Sequence, residues 1–323
     1  MTSSRIGTIV SILLAVFVTT NCAYYNKIVS RKNLVDGAEA YKGRKFDEAE
    51  DFFRRAAARD PEGLTMEGRT AQLFLARTIH SKYIGNRRET DLAESAIEEY
   101  KKVLQLDPNE QSAYKAVAGL FENLQKQDDW MTWVTNRANN TEILPQHRAE
   151  AFTSLAVRQH TCANEISDTD ATKKPGKRDG KDIFIYVKPE KPEDLERMRG
   201  CVTQGMQLIQ QAIDLETEEI KNIKGVNPKE LSDTELRQKL DLVKAFESAR
   251  SYRTALLMQS SRLAEMDGRE AEAEQLRKQV DEARAKGQEL SEVNRQLQAE
   301  IDARIAAAIE AEKAADEQKP GGN

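Results

Sequence analysis

The sequence is short of the residues that make turns. Its 323 residues include only 16 glycines and 8 prolines, so tight reversals should be few and helices long. Aromatic residues make up 6% and charged residues 32%, a balance that suits helices with wide solvated faces better than sheets. There are three histidines and three cysteines. His80 and His147 stand alone. His160 lies two residues before Cys162, but its neighbours complete no ligand set or triad. No metal site, catalytic residue or cofactor motif is therefore expected. A large basic stripe is also missing. The formal net charge is -5, and the basic run KKPGKRDGK, Lys173 to Lys181, carries Pro and Gly and reads as a flexible loop. Neither nucleic acid nor a small-molecule substrate is expected as a partner.

What is present begins with a targeting pattern. Arg5 precedes thirteen mostly apolar, uncharged residues, Ile6 to Val18. That is short for a membrane span, which needs about 20, and suits the core of a signal peptide. Thr19, Thr20, Asn21 and Cys22 follow. The stretch resembles a bacterial lipoprotein signal, in which the cysteine is lipidated and becomes the first residue. Thr19 and Asn21 stand where that family has an aliphatic residue and a small one. CAYYN resembles the start of bacterial outer-membrane lipoproteins that carry helical repeats. Ala23 in place of Asp implies no inner-membrane retention. The resemblance thus implies a lipid on Cys22 and an envelope location, outer membrane facing the periplasm. The alternative is a cleaved signal that leaves Cys22 as a plain thiol.

The second pattern is a repeat. In GAEAYKGRKFDEAEDFFRRAAARDP, Gly37 and Tyr41 mark a first helix, and Ala49, Phe53, Ala56 and Pro61 a second. Small residues let two helices approach, an aromatic fills the gap, and proline ends the run. The order resembles the tetratricopeptide repeat. It recurs at Ala96, Tyr100, Val103 and Pro108. That spacing exceeds the usual repeat of about 34 residues, so the first helix, Leu64 to Tyr83, must be long. In a third unit Tyr114, Val117, Ala118 and Phe121 share a face, and Trp130 replaces the alanine, as a core residue or a groove-lining one. A fourth pairs Gln146–Cys162, with Ala149, Phe152, Leu155 and Ala156, to Pro192–Glu216, with Gly205, Ile209 and Ala212. A fifth starts at the capping box Ser232–Glu235. Its helices should run to about Met266 and from Arg269 to Lys286, with a bend at Gly287. A last helix, Gln288 to Asp316, follows, about 44 Å if straight. Leu290, Val293, Leu297, Ile301, Ile305 and Ile309 form its stripe. It serves as a solenoid cap or as a coiled-coil or partner-binding arm.

Residues 164–192 interrupt the fourth unit. Asp182 to Lys188, DIFIYVK, has strand character and needs a partner strand, for which the stretch after Cys162 is available. Cys162 and Cys201 flank this insertion. In an oxidising compartment they form an even pair, read as a disulfide clamp or as two separate buried thiols.

The expected fold is all-α: a tetratricopeptide-like superhelix of about five helix pairs, with a strand-containing insertion and a long C-terminal helix. Its parts are a signal peptide (1–21), an anchor-proximal linker (22–32), repeats (33–163), the insertion (164–192), further repeats (193–286), and a helix with a disordered tail (287–323). The resemblance implies a non-enzymatic scaffold, lipid-anchored at Cys22, that binds a protein partner in a concave groove. A finer form is an accessory subunit for outer-membrane β-barrel assembly. The competing reading is an enzyme or sugar-binding protein with the insertion as a lid.

Overall fold

The computed structural model describes residues 25–178 and 180–317. Cys22, the apolar leader and the tail after 317 lie outside the described residues. The chain divides into two compact units, residues 1–130 and 131–323. Among the described residues no helix is long and apolar enough to cross a membrane.

The first unit is built from α1 (25–42), α2 (Phe46–Ala57), α3 (Met66–Gly85), α4 (Thr90–Leu106), α5 (Gln111–Asn123) and the start of α6 (Gln127–Asn139). Residues 25–32, expected as linker, are helical, and Ser30 is buried with its hydroxyl on the Ala56 carbonyl at 3.3 Å. The linker reading fails because this turn has a surface to bury against. Gly37 lies against Phe53: a Cβ there would sit 2.8 Å from the ring. Ala49, Phe53 and Ala56 are buried. The Phe53 and Phe74 ring centroids lie 5.4 Å apart. Tyr41 contacts the Phe46 and Phe74 rings edge-on and shares a 2.8 Å hydrogen bond with Ser81. Small residues and aromatics thus occupy the places the repeat pattern gives them. In α4, Ala96, Tyr100 and Val103 are buried in the same way. The long α3 starts at Thr65, whose hydroxyl accepts from the Gly68 N–H at 3.1 Å. Asp60 in turn accepts from the Leu64 and Thr65 N–H groups.

Three of the helix pairs, α1–α2, α5–α6 and the last pair, share one turn. Arg44 (φ 58), Gln125 (φ 58) and Gly268 (φ 77) are left-handed. In each case the next residue's N–H reaches back five residues: Lys45 to Ala40, Lys126 to Phe121 and Arg269 to Ala264, at 2.8 to 2.9 Å. This closes the last carbonyls of a first helix and starts a second. Only one of the three is glycine, so Arg44 and Gln125 hold this backbone at some strain.

The second unit contains the rest of α6, α7 (Pro145–Ser167), β1 (Lys173–Arg178), β2 (Lys181–Tyr186), α8 (Pro192–Asp214), α9 (Glu218–Lys221), two short 3-10 turns, α10 (Asp233–Met266) and α11 (Glu270–Glu317). The expected box at α10 is present: the Ser232 side chain accepts from the Glu235 N–H, and Glu235 returns to the Ser232 backbone. Gly205 faces Leu256 and Gln159, at 2.6 and 3.1 Å from a would-be Cβ. Cys162 and Cys201 are joined, with Cα atoms 6.2 Å apart. The bond ties α7 to α8 inside the pair rather than at the insertion's edge. Next to it, Ala163, Ile166, Met198, Val202, Leu263 and Met266 form a core cluster.

Three boundaries differ from the sequence reading. The run Lys173 to Arg178, expected as loop, is strand β1 and is itself the partner of β2, Lys173 opposite Tyr186 and Arg178 opposite Lys181. A tertiary contact outweighs its poor strand propensity: Arg178 and the Tyr186 N–H both bond to the buried Glu265 carboxylate, at 3.2 and 3.3 Å. Second, α7 continues to Ser167, which shortens the insertion. Ser167 donates to Gln259 at 2.8 Å in a buried contact. Third, Gly287 neither bends nor ends the chain, and α11 is one helix of 48 residues. A mid-helix glycine costs about 1 kcal/mol. Burying Leu290, Val293, Leu297 and Ile301 returns about 1.5 to 3 kcal/mol each, so continuity wins. The stripe is covered only to Ile301; Ile305 and Ile309 are 46% and 47% exposed. The C-terminal helix therefore acts as a cover for α10 along most of its length.

Candidate functional site

The first unit carries an open groove of about 730 Å³, walled by α2, α3, α4, the end of α5 and the start of α6. Its floor is apolar, with Ile79, Leu92, Ile97 and Phe121. These positions follow from helical periodicity: Ile97 and Phe121 are the buried faces of α4 and α5, turned partly toward the opening. The rim is charged. Six acids (Glu50, Asp91, Glu94, Glu98, Glu99, Asp129) stand against four bases (Arg54, Lys82, Lys101, Lys126).

The bases are already engaged. Lys82 bonds to Asp47 at 2.7 Å and Glu50 at 2.9 Å. Arg54 meets Glu50 at 2.7 Å, and Lys126 meets Glu94 at 2.7 Å. The hydrogen bond to Asp47 holds the Lys82 ammonium above its ordinary pKa, against some burial. Burial works to raise the Glu50 carboxyl, but the hydrogen bonds from Arg54 and Lys82 outweigh it and leave it below the usual range. At neutral pH these groups are charged, and the acids in excess give the rim a negative field.

Beside the groove, His80 packs edge-on to Tyr100, with Nδ1 3.3 Å from the phenol oxygen. Burial pushes the Tyr100 phenol up to about 12. Burial, helped by Arg87, holds the His80 imidazole below its ordinary value. Burial and Arg262 do the same to His160, which lies edge-on to Tyr252. A histidine with a lowered native pKa favours folding in its neutral form. Its contribution is full above the ordinary value of about 6.5 and falls away as pH drops through that value toward the native one. The thermal midpoint should therefore decline between neutrality and pH 5. The variant His80→Gln/His160→Gln should flatten that decline and leave the steeper carboxylate-driven loss below about pH 4. Calorimetry across pH checks this; an unchanged slope in the variant contradicts it.

The second unit has its own groove of about 760 Å³ between α8, α10 and α11. Arg250 is fixed there by a two-pronged pair with Glu216, at 2.7 and 3.0 Å, and by the Lys286 carbonyl at 3.0 Å. Arg253 donates to Gln210.

Apart from Cys22, which lies outside the described residues, the residues singled out from the sequence are packing residues or disulfide partners in the structure. Gly37, Tyr41, Ala49, Phe53 and Ala56 come together between α1, α2 and α3. Ala96 and Tyr100 face α3. Trp130 is buried, which fits the core reading. Gly205 and the two cysteines lie within the α7–α8 pair or against α10. The groove rim and the Glu265 junction were not foreseen. No local signal marks them, because each is assembled from helices far apart in sequence. Among the described residues no group of three or more His, Cys, Asp or Glu side chains is placed to hold a metal.

No protein-family model and no curated protein matches the sequence. Similar solved structures include the following three. The MamA protein is 14% identical, over 76% of this chain and 94% of that one, with a TM-score of 0.32. PilF of Pseudomonas aeruginosa is 15% identical, over 76% and 99%, with a TM-score of 0.30. A tetratricopeptide repeat protein from Parabacteroides merdae is 10% identical, over 84% and 99%, with a TM-score of 0.31. Likeness at this level carries no argument about what the chain does. The assignment to an all-α architecture of tetratricopeptide-like helix pairs rests on the chain's own pairs and on the turn that three of them share.

Proposed function

We propose that this chain is a non-enzymatic scaffold that binds a protein partner and is held at the bacterial envelope by a lipid on Cys22. The observation that carries the binding reading is the groove in the first unit: an apolar floor and a charged rim around about 730 Å³ of open space. Its excess of acid favours a partner segment that brings positive charge. The tether is supported by the signal-like leader ending at Cys22, and the outer-membrane, periplasm-facing location by CAYYN and Ala23. The finer reading, an accessory subunit in outer-membrane β-barrel assembly, is favoured by the five helix pairs together with that CAYYN start. Purifying the membrane complex intact and identifying its members tests that role.

The tether has a direct test. Cys22→Ser should shift the protein from the membrane to the soluble fraction of lysed cells, and metabolic labelling with a fatty acid should be lost with it. A membrane fraction unchanged by the substitution contradicts lipidation.

A further inference from the structure

Three helices of the first unit bring their ends together where the described chain begins. Arg59, just past α2, donates to the Asn26 side chain at 3.3 Å, and Lys27 meets Glu67, in the first turn of α3, at 3.9 Å. Large apolar side chains are left in solvent at this end. Leu64 is 76% exposed, Met66 74%, Tyr25 61% and Ile28 51%. The turn that carries Leu64 is fixed. Asp60 accepts from the Leu64 and Thr65 N–H groups at 3.0 and 2.7 Å, and Arg69 donates to the Gly63 carbonyl at 2.9 Å. The exposed side chains therefore stand on backbone that is already held. Apolar groups gathered in this way mark a contact surface.

The occupant follows from where the chain enters. Cys22 lies three residues before Tyr25, at most about 11 Å of extended chain. A lipid on Cys22 brings a bilayer to this end of the helices and not to the other. The charges agree. Lys27, Arg31 and Lys32 are exposed, and no acid precedes Asp36 on α1. Exposed Arg59 and Glu62 on the turn offset one another. A tyrosine and aliphatic side chains beside cations suit the headgroup level of a membrane that carries anionic lipid.

We propose that this end of the first unit rests on the bilayer, with Tyr25, Ile28, Leu64 and Met66 entering the headgroup layer. The contact presupposes the tether at Cys22 and adds an orientation to it. The acid-rimmed groove lies toward the opposite end: Ile79 and Lys82 come late in α3, Asp91 and Leu92 early in α4, and Phe121 late in α5. Met66 and Lys82 are about 24 Å apart along α3. The groove is thus held clear of the membrane and open to a partner arriving from the aqueous side.

The test supplies the tether chemically, so its outcome does not depend on lipidation in the cell. The chain from Cys22 onward is coupled through the Cys22 thiol to a maleimide-bearing lipid in vesicles of phosphatidylcholine and phosphatidylglycerol. Cys162 and Cys201 are bonded to each other and do not compete. Leu64→Trp and Ile84→Trp are each compared with the parent, whose own tryptophans are Trp130 and Trp133. Ile84 is also exposed, at the far end of α3. The new tryptophan at position 64 should shift its emission to the blue and be quenched by lipids brominated high on their acyl chains. The one at position 84 should do neither. Adding Tyr25→Ser, Ile28→Ser and Met66→Ser should remove the shift at position 64 while circular dichroism stays unchanged. No quenching at 64, equal quenching at both ends, or quenching indifferent to the three serines overturns the contact. Failure of lipidation in cells is read separately, by the Cys22→Ser fractionation. If position 64 stays unquenched and the uncoupled chain is a dimer that Leu64→Lys separates, the patch belongs to a second copy instead.

Discussion

Phe53→Ala should lose about 3 to 5 kcal/mol of stability in the first unit, the range for emptying an aromatic core site. Phe53 is 1% exposed. It is pressed between Gly37 of α1 and Phe74 of α3, so its loss opens a gap shared by three helices. Phe53→Leu should recover a large part of the loss. The sharper form is a double-mutant cycle. Gly37→Ala alone places a methyl 2.8 Å from the Phe53 ring and should cost about 1 to 3 kcal/mol through overpacking. With Phe53 removed, the same methyl has room, and alanine's better helix propensity of about 1 kcal/mol should show. Gly37→Ala should therefore change sign between the two backgrounds in urea unfolding. Additive effects would mean that the two residues do not meet.

Cutting the Cys162–Cys201 bond should cost about 4 kcal/mol. The bond spans 39 positions, and the chain-entropy relation gives that figure for a loop of about 40 residues. The paired substitution Cys162→Ala/Cys201→Ala and reduction of the native protein should lower the stability of the second unit by similar amounts. The first unit should be unaffected, which hydrogen exchange resolves unit by unit. Because the bond lies beside the cluster of Ala163, Ile166, Met198 and Val202, amides of α7 and α8 should lose protection first. A change below about 1 kcal/mol would mean that the packing alone holds the pair.

The helix pairs were legible in the sequence because each must bury a stripe against its neighbour. Gly37, Phe53 and Gly205 mark the closest approaches, and closest approach is what limits residue choice. The shared turn was legible only at Gly268. At Arg44 and Gln125 the left-handed backbone is imposed by the helices it joins, and no glycine announces it. The β1 strand was hidden for the opposite reason: a lysine-rich run with Pro175 and Gly176 has no strand signal of its own. It is held through Glu265, a residue 87 positions from Arg178. The continuity of α11 through Gly287 was hidden because local propensity argues for a break, and the apolar stripe beyond it pays more. The groove was foreseen as a consequence of the repeat, but not its acid excess. Apart from the buried Glu99, those carboxylates sit on the partly or fully solvated faces of α2, α4 and α6, where the sequence shows only ordinary surface charge.

Whether this protein works by holding a partner in the first unit's groove is tested most directly by photo-cross-linking in living cells. A photoreactive residue at position 98, on the groove rim, should form one discrete protein adduct. The same residue at position 55, which is not part of the rim, should form none. Asp91→Lys and Asp129→Lys should abolish the adduct while leaving the fold intact. Equal labelling from both positions, or an adduct indifferent to the reversed charges, would show that the trough is not where binding occurs.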